Sequence, residues 1–271
     1  MSGLARTPAR PWIDDPFTEA IRSGRGPLWL RGPDGHRHHL DVNRWCAPPD
    51  AADLSLLERC VRLGHPVLDV GCGPGRLVAG LLALGVPALG VDVTHAAVTR
   101  TRGLGGPALC RSVFERLPGE GRWGGALLAD GNLGIGGDPS ALLHRIAQLL
   151  APGGLLLAEV EPQDVDERLT VRIEDATGRS GPPFAWARLG ADATARHAAP
   201  AGLTESDRWT AHGRHFLALR RSGRPGRPGR PRRPEAGCGA FPLPSGGRDV
   251  ACRSGTAGAV PFAAVQRQSP G

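Results

Sequence analysis

The stretch VLDVGCGPGRL, residues 67–77, constrains the fold more than any other part of the chain. A short apolar run that contains Asp69 leads into Gly71, Gly73 and Gly75, and a segment with helical spacing follows. Glycine has no Cβ, so it adopts positive φ angles and lets the backbone approach a ligand closely. A buried strand, a glycine turn and a helix in this order predict a unit of a parallel sheet with a ligand at the turn.

The same alternation of strands and helices continues along the chain. Apolar runs predict further strands at 87–93, 107–110, 123–130 and 152–161, and helical spacing predicts helices at 76–85, 94–102, 138–151 and 190–202. Such alternation is typical of a parallel sheet covered by helices on both faces. The segments 204–211 and 214–221 are separated only by His212 and Gly213, which permits an antiparallel hairpin but no parallel crossover.

Two segments lie outside this pattern. Residues 27–42 read as two strands about a Pro-Asp-Gly turn, and the strand-like segments 168–175 and 182–189 flank a Gly-rich loop. Both predicted hairpins are expected near the carboxyl ends of the main strands, where ligands bind in open α/β sheets.

Composition and charge predict three regions: an N-terminal helix and hairpin cap at 1–63, a globular domain at 64–221 with an inserted hairpin at 162–189, and a tail at 222–271. The tail is rich in Arg, Gly and Pro, and it is predicted to be disordered because it has few apolar residues and many prolines. Residues 220–271 hold ten arginines and two acids, so the net charge of +7 leaves −1 for residues 1–219. The neutral domain carries no signal of a nucleic-acid cleft, and weak contact through the basic tail is the one nucleic-acid interaction expected.

The sequence also predicts the cellular location of the protein and the state of its cysteines. It has no apolar run of the roughly 18 residues that span a bilayer and no secretory h-region, which predicts a cytoplasmic protein without membrane contact. Its six cysteines form no C-x-x-C pair, so buried thiols are favoured over disulfides or a zinc site.

Two phosphate-binding interpretations of the glycine turn fail on single residues. A dinucleotide fingerprint needs a glycine at the position that Arg76 occupies. A Walker A loop needs a lysine, and the chain contains none. The pattern that fits is D-x-G-x-G-x-G, formed by Asp69 and the three glycines of the turn.

With this motif the chain resembles the class I S-adenosylmethionine-dependent methyltransferases (EC class 2.1.1) over about residues 60–221. The resemblance implies a Rossmann-like three-layer α/β sandwich. Its mostly parallel seven-stranded sheet ends in an antiparallel hairpin, with the small N-terminal and inserted β-hairpins added. It also implies that S-adenosyl-L-methionine is the cofactor. LLAPGGLLLAEV matches the family's entry into the fifth strand.

The resemblance also assigns cofactor contacts. The turn residues Gly71, Cys72, Gly73 and Gly75, shaped by Asp69, would wrap the methionine and ribose. Asp92 and the adjoining Val93 end the second strand, and a carboxylate there can accept both ribose hydroxyl protons. Val113 or Phe114 would flank the adenine, where the family often has an acidic or amide residue. Asp130, in ALLADGNLG, would face the reacting methyl group.

The acceptor and the base remain open at this level. The candidates for a general base are Asp130, Glu159, Glu161 and the histidines 36, 38 and 39, of which Asp130, Glu161 and His38 are retained as weak catalytic candidates. The histidine run favours a solvated hairpin tip over a metal site. The oligomeric state is left open.

The sequence favours a small-molecule methyl acceptor. It lacks both the [DN]-P-P-[YFW] motif of base-directed amino-methyltransferases and a Pro-Cys nucleophile. Trp29, Phe184 and Trp186 either line an apolar acceptor pocket or pack as core. The alternatives are a catalytically silent cofactor-binding or nucleic-acid-interacting module that uses the basic tail, and a nicotinamide oxidoreductase, which Arg76 disfavours.

Overall fold

The structure is a computed structural model, and it describes residues 15–223. The N-terminal elements, in chain order, are α1 (Pro16–Ser23), β1 (Leu28–Arg31), β2 (Arg37–Leu40), α2 (Val42–Trp45) and α3 (Ala51–Leu63). Both longer helices begin at an aspartate that accepts a backbone N–H of the first turn, Asp15 for α1 and Asp50 for α3, and both end at a glycine in the left-handed conformation. The helix boundaries therefore follow from local capping chemistry.

The glycine turn and the predicted alternation lie in the middle of the chain. Its elements are β3 (Val67–Val70), α4 (Arg76–Ala83), β4 (Ala88–Asp92), α5 (His95–Gly103), β5 (Ala108–Cys110), β6 (Trp123–Leu128), α6 (Pro139–Leu149) and β7 (Leu150–Val160). The last elements are β8 (Asp166–Asp175), β9 (Phe184–Leu189), α7 (Ala191–Ala198), β10 (Leu203–Ala211) and β11 (Arg214–Arg221). The helix predicted to start at Thr94 does so, although the Thr94 side chain makes no capping bond.

The main sheet has seven strands in the order β10-β11-β7-β6-β3-β4-β5. The pairs from β7 to β5 are parallel, whereas β11 pairs antiparallel with both β7 and β10. All four residues of β3 are buried, as expected of a central strand with helices on both faces. The predicted fold class, a mostly parallel sheet that ends in an antiparallel hairpin, is confirmed.

A second sheet contains the two extra hairpins, in the order β2-β1-β8-β9. The sequence predicted the hairpins separately, but β1 pairs antiparallel with β8 and joins them into one four-stranded sheet. Leu28, Leu30, Val171 and Ile173 lie in a core cluster with Ala97 of α5, which fixes this sheet to the main domain. The carboxyl ends of β6 and β7 lie near β9, the last strand of this second sheet, and residues from both sheets line the cleft described below.

Within residues 15–223, no helix is long and apolar enough to cross a membrane. The predicted disordered tail, 222–271, lies outside the described residues except for Ser222 and Gly223, and Ser222 donates its backbone N–H to Gly202. The four cysteines that the structure describes, Cys46, Cys60, Cys72 and Cys110, are free thiols.

Candidate active site

The glycine turn after β3 is held from two sides. The N–H groups of Gly71 and Cys72 both donate to the carbonyl of Val91 on the neighbouring strand. Asn132, from the loop after β6, donates its Nδ2 to the carbonyls of Val70 and Gly71 at 3.0 and 2.9 Å. The turn is therefore a rigid bridge between three parallel strands at their carboxyl ends.

The three glycines of the turn are subject to different steric constraints. All have positive φ angles: 73° at Gly71, 53° at Gly73 and 90° at Gly75. A Cβ on Gly71 would lie 2.6 Å from Asn132 Nδ2, and one on Gly75 would lie 2.5 Å from Thr101 Oγ1. A Cβ on Gly73 would meet no atom of residues 15–223 within 4 Å, so Gly73 borders open space in the described part of the chain.

This difference predicts the outcome of a matched pair of substitutions. Gly73→Ala should lower the free energy of unfolding by roughly 1–2 kcal/mol, the cost of a left-handed residue with a Cβ. Gly71→Ala should cost more, because the backbone strain is the same and the Cβ also displaces the Asn132 amide. Urea denaturation of both variants tests this order, and equal midpoints would contradict it.

Asp92 closes the turn from the end of β4. Its Oδ2 accepts the Gly73 N–H at 3.0 Å, and its Oδ1 accepts the Thr94 N–H at 2.8 Å. Burial raises the pKa of Asp92 above its usual value, and these backbone bonds offset part of the effect. Each carboxylate oxygen keeps a free lone-pair direction, so the group can accept further donors.

Two apolar side chains that follow the ends of β4 and β5 are exposed. Val93 is 41% exposed and Phe114 is 44% exposed, whereas Val113 is buried in the core under the sheet. Of the two residues predicted to flank an adenine, only Phe114 is thus available at the surface. A Cβ on Gly136 would lie 2.9 Å from the Phe114 ring, which places that ring against the loop after β6.

Asp69 and Cys72 are the two buried titratable groups of the motif. Burial raises the pKa of Asp69 to about 7, and its buried Oδ2 has no hydrogen-bond partner among residues 15–223. Burial also raises the pKa of the Cys72 thiol well above its usual value. Cys72 therefore acts as a small packing residue against Gly90 and Thr101, and not as a thiolate.

Arg76, the residue that excluded a dinucleotide fingerprint, is 5% exposed and joins two carboxylates. Its Nε and Nη2 donate to the two oxygens of Asp53 on α3 at 2.8 and 2.9 Å. Its Nη1 donates to Asp130 Oδ2 at 2.6 Å. Arg76 thus ties the N-terminal cap to the end of β6 directly beneath the glycine turn.

Two more arginines complete this buried ion network. Arg214, at the start of β11, donates to Asp53 at 2.7 Å and holds Glu159, at the end of β7, through Nε and Nη2 at 2.8 and 2.7 Å. Arg44 of α2 donates to Asp130 Oδ1 at 2.7 Å. The network brings together strand ends that are far apart in the sequence.

The network sets the protonation of its carboxylates. Burial alone would raise the pKa of Asp53, but its bonds to Arg76 and Arg214 lower it to about 2. Burial also opposes ionisation of Asp130, yet the positive charges of Arg76, Arg44 and Arg214 leave its pKa below the usual value. A carboxylate that is ionised and bonded to several arginines is a poor proton acceptor, which argues against Asp130 as the general base.

A cleft of about 170 Å³ lies beside this network, between the carboxyl ends of β6 and β7 and the second sheet. Its lining comprises main-sheet residues, the last strand of the second sheet and the β10–β11 turn: Gly131, Leu133, Glu159–Pro162, Trp186–Leu189 and Gly213–His215. Glu161 is in this wall, bonded through both oxygens to Arg188 at 3.1 and 3.0 Å. Arg188 also donates to Glu167 at 3.0 Å.

The remaining predicted site residues lie in different environments. Trp186 lines the cleft and packs edge-on against Phe184, whereas Trp29 is paired with His39 and Arg37 on β2. His38 is half-buried, and desolvation followed by the charge of Arg188 lowers its pKa. His36 is highly exposed near Asp34. No cluster of metal-ligating side chains occurs within residues 15–223.

Sequence reasoning missed the arginines of the site. Arg44, Arg76, Arg188 and Arg214 were not distinguishable from the other arginines of an arginine-rich, lysine-free chain. One signal was present: Arg76 directly follows the last glycine of the turn and starts a helix whose first three residues are buried, where a charge needs partners.

Comparison with known proteins agrees with this architecture. Residues 68–158 match the model of a family described as a methyltransferase domain. Among solved structures, a SAM-dependent methyltransferase from Bacteroides fragilis, in complex with S-adenosyl-L-homocysteine, is 21% identical, with 77% of this chain and 95% of that chain covered and a TM-score of 0.61. The 1,6-didemethyltoxoflavin-N1-methyltransferase of Burkholderia thailandensis is 22% identical, with 64% and 80% covered and a TM-score of 0.48. No curated protein matches the chain.

The fold and the glycine turn thus define a protein of the class I methyltransferase architecture. Its central part, from β3 to β7, matches the model of a methyltransferase domain over residues 68–158. The domain match bears out the predicted methyltransferase class, and the likeness to the Bacteroides fragilis structure bears out the predicted fold.

Proposed function

We propose that this protein transfers the methyl group of S-adenosyl-L-methionine to a small-molecule acceptor by in-line displacement, with the acceptor bound in the cleft beside β7. The observation that carries the proposal is the D-x-G-x-G-x-G turn, with Asp92 bonded to its central glycine and open space over that glycine.

The residues around the turn fit the cofactor. Gly71, Gly73 and Gly75 would admit its amino-acid and ribose parts, and Asp92 would accept the ribose hydroxyl protons. Val93 and Phe114, both exposed, would flank the base. The orphaned buried Oδ2 of Asp69 is a further polar atom without a partner at this turn. When bound, the cofactor supplies a methyl group that its sulfonium already activates.

The protein's own contribution is alignment and exclusion of water. The cleft begins at Gly131 and Leu133, directly after β6, so an acceptor there would lie next to the glycine turn. The bidentate pairs Glu159–Arg214 and Glu161–Arg188 hold its walls in place. Its small volume supports a small acceptor or a single protruding group, and not a nucleic-acid duplex.

The cofactor site is tested by calorimetric titration of the full chain with S-adenosylhomocysteine. We expect micromolar binding that Asp92→Asn weakens by about 100-fold, because bonds from hydroxyls to a charged carboxylate contribute roughly 1.5–3 kcal/mol each. Asp207→Asn is the matched control, since within residues 15–223 Asp207 forms its ion pair with Arg59 alone, at an exposed position on the edge strand β10.

Two outcomes would contradict the proposal. If the folded protein bound no S-adenosylhomocysteine, or bound NAD more tightly, the turn would serve another ligand. If Asp92→Asn and Asp207→Asn bound equally well, Asp92 would not contact the ribose.

A further inference from the structure

The cleft beside β7 is lined by five titratable side chains, four of which form ion pairs with one another. The five are Glu159, Glu161, Arg188, Arg214 and His215. Because methylation of a hydroxyl or amine releases a proton, the identity of the group that takes up this proton bears directly on the acceptor. The inference rests on the proposed function.

Both glutamates are fully engaged. Glu159 Oε2 accepts the Asp130 N–H at 2.7 Å in addition to Arg214, and Glu159 Oε1 accepts Arg214 Nε at 2.8 Å. Glu161 is held by Arg188 through two parallel bonds. Protonation of either carboxylate would break a bidentate, charge-assisted pair, so neither is suited to act as a base.

The arginines stay protonated. The hydrogen bond from Arg188 to Glu161 raises the pKa of that guanidinium, and the bonds of Arg214 to Glu159 and Asp53 outweigh its burial and raise its pKa as well. A guanidinium has no acceptor lone pair, so both residues are excluded as bases.

His215 is the remaining group. It is the second residue of β11, half-buried, and it pairs with Thr210 across the β10–β11 hairpin and with Val160 of β7. Its Nδ1 lies 3.2 Å from Thr210 Oγ1. Its Nε2 makes no hydrogen bond with any of residues 15–223. If Nδ1 donates to Thr210, Nε2 keeps a free lone pair, and His215 is one of the residues that line the cleft.

We propose that His215 is the general base of this enzyme, that Thr210 is its positioning residue, and that the acceptor is a hydroxyl or amine that loses a proton. The acceptor atom forms a bond to the methyl carbon as the bond from carbon to sulfur breaks, the sulfur keeps the electron pair, and the proton of the acceptor goes to His215 Nε2. The products are the methylated acceptor, S-adenosylhomocysteine and an imidazolium that returns its proton to water.

His38 is the other histidine near the cleft, and its position is less suited to this role. It lies on β2, on the second sheet, and it does not belong to the cleft lining. Desolvation, together with the charge of Arg188, lowers the pKa of His38. His215, by contrast, extends from the strand that pairs directly with β7.

The test is a measurement of the tautomer of His215 in the full chain saturated with S-adenosylhomocysteine. Long-range ¹H–¹⁵N correlation spectra of histidine-labelled protein at pH 8.5, assigned with His215→Gln, distinguish a protonated from an unprotonated Nε2. We expect the Nδ1–H tautomer, and Thr210→Val should shift the population towards Nε2–H. His212→Gln is the matched control, because His212 lies in the β10–β11 turn, three residues before His215. This substitution should leave the His215 resonance unchanged.

A pair of probes then tests the lone pair. Phenol offers an O–H donor and anisole does not, although the two rings are alike. Phenol should shift the His215 Nε2 resonance and anisole should not. Any one of three results would overturn the assignment. These are an Nε2–H tautomer in the unsubstituted protein, no effect of Thr210→Val on the tautomer, and a response of the Nε2 resonance that is absent or equal for the two probes. Failure of the proposed function would appear separately, as absent binding of S-adenosylhomocysteine with the His215 tautomer still readable.

Discussion

Replacing Arg76 by methionine should lower the free energy of unfolding by about 3–5 kcal/mol, the cost of removing one partner from a buried ion pair. Arg76 is 5% exposed, and it holds Asp53, which is completely buried, through two hydrogen bonds. Without the guanidinium, Asp53 would retain only Arg214 as a close cation, and Asp130 would lose its shortest bond. Methionine keeps most of the aliphatic volume, so the measured effect reports on charge and hydrogen bonding.

Urea denaturation monitored by circular dichroism measures this loss, with Arg208→Met as the matched control. Arg208 also pairs with two carboxylates, Asp192 and Glu205, but it is 43% exposed. Exposed pairs contribute about 0–1 kcal/mol, so the control variant should unfold close to the unsubstituted protein. Equal destabilisation by the two substitutions would mean that the network under the glycine turn is as well hydrated as the surface.

Because of where this ion network lies, its disruption should also change the geometry of the candidate active site. Arg76 follows the glycine turn directly, and Asp130 follows β6, where the cleft begins. Arg214 joins the same carboxylates to Glu159 in the cleft wall. The cap helix α3, the turn and the cleft are therefore positioned by one set of ion pairs.

The order of the elements was accessible from the sequence because each signal is local. The glycine turn, the apolar runs and the short His212–Gly213 connection predict strands, helices and a terminal hairpin, and the structure has them within a few residues. The resemblance that started from Asp69 and the three glycines supplied the sheet order. These features depend on residues that are neighbours along the chain.

The second sheet and the ion network were not accessible, because they depend on partners distant in the sequence. The pairing of β1 with β8 joins residues 28–31 to residues 172–175, and no local pattern encodes it. Arg214 meets Asp53 across 161 positions. Phe114 and Val113 show the same limit on a smaller scale, since both are apolar and only the fold decides which is exposed.

Asp69 should make the protein less stable as the pH rises from about 4 to about 7. Burial raises its pKa to about 7 in the folded state, from a usual value of 3.8. Between these values the folded protein keeps a proton that the unfolded chain has released, so the unfolded state gains relative to the folded one as the pH rises. About 3 pKa units at 1.36 kcal/mol each give an upper limit of roughly 4 kcal/mol.

Asp69→Asn should therefore flatten the dependence of stability on pH in this window and stabilise the ligand-free protein at pH 8, by at most that amount. Asp53→Asn is the matched control with the opposite sign, because the pKa of Asp53 is lowered to about 2 and its charged form is the favoured one. Urea midpoints at pH 5 and pH 8 distinguish the two cases. The carboxyl group of Asp69 lies at the end of β3, before the glycine turn, and its buried Oδ2 has no hydrogen-bond partner within residues 15–223. Destabilisation of Asp69→Asn at pH 8 to the extent of Asp53→Asn would show instead that Asp69 supports the turn as an ionised, paired group.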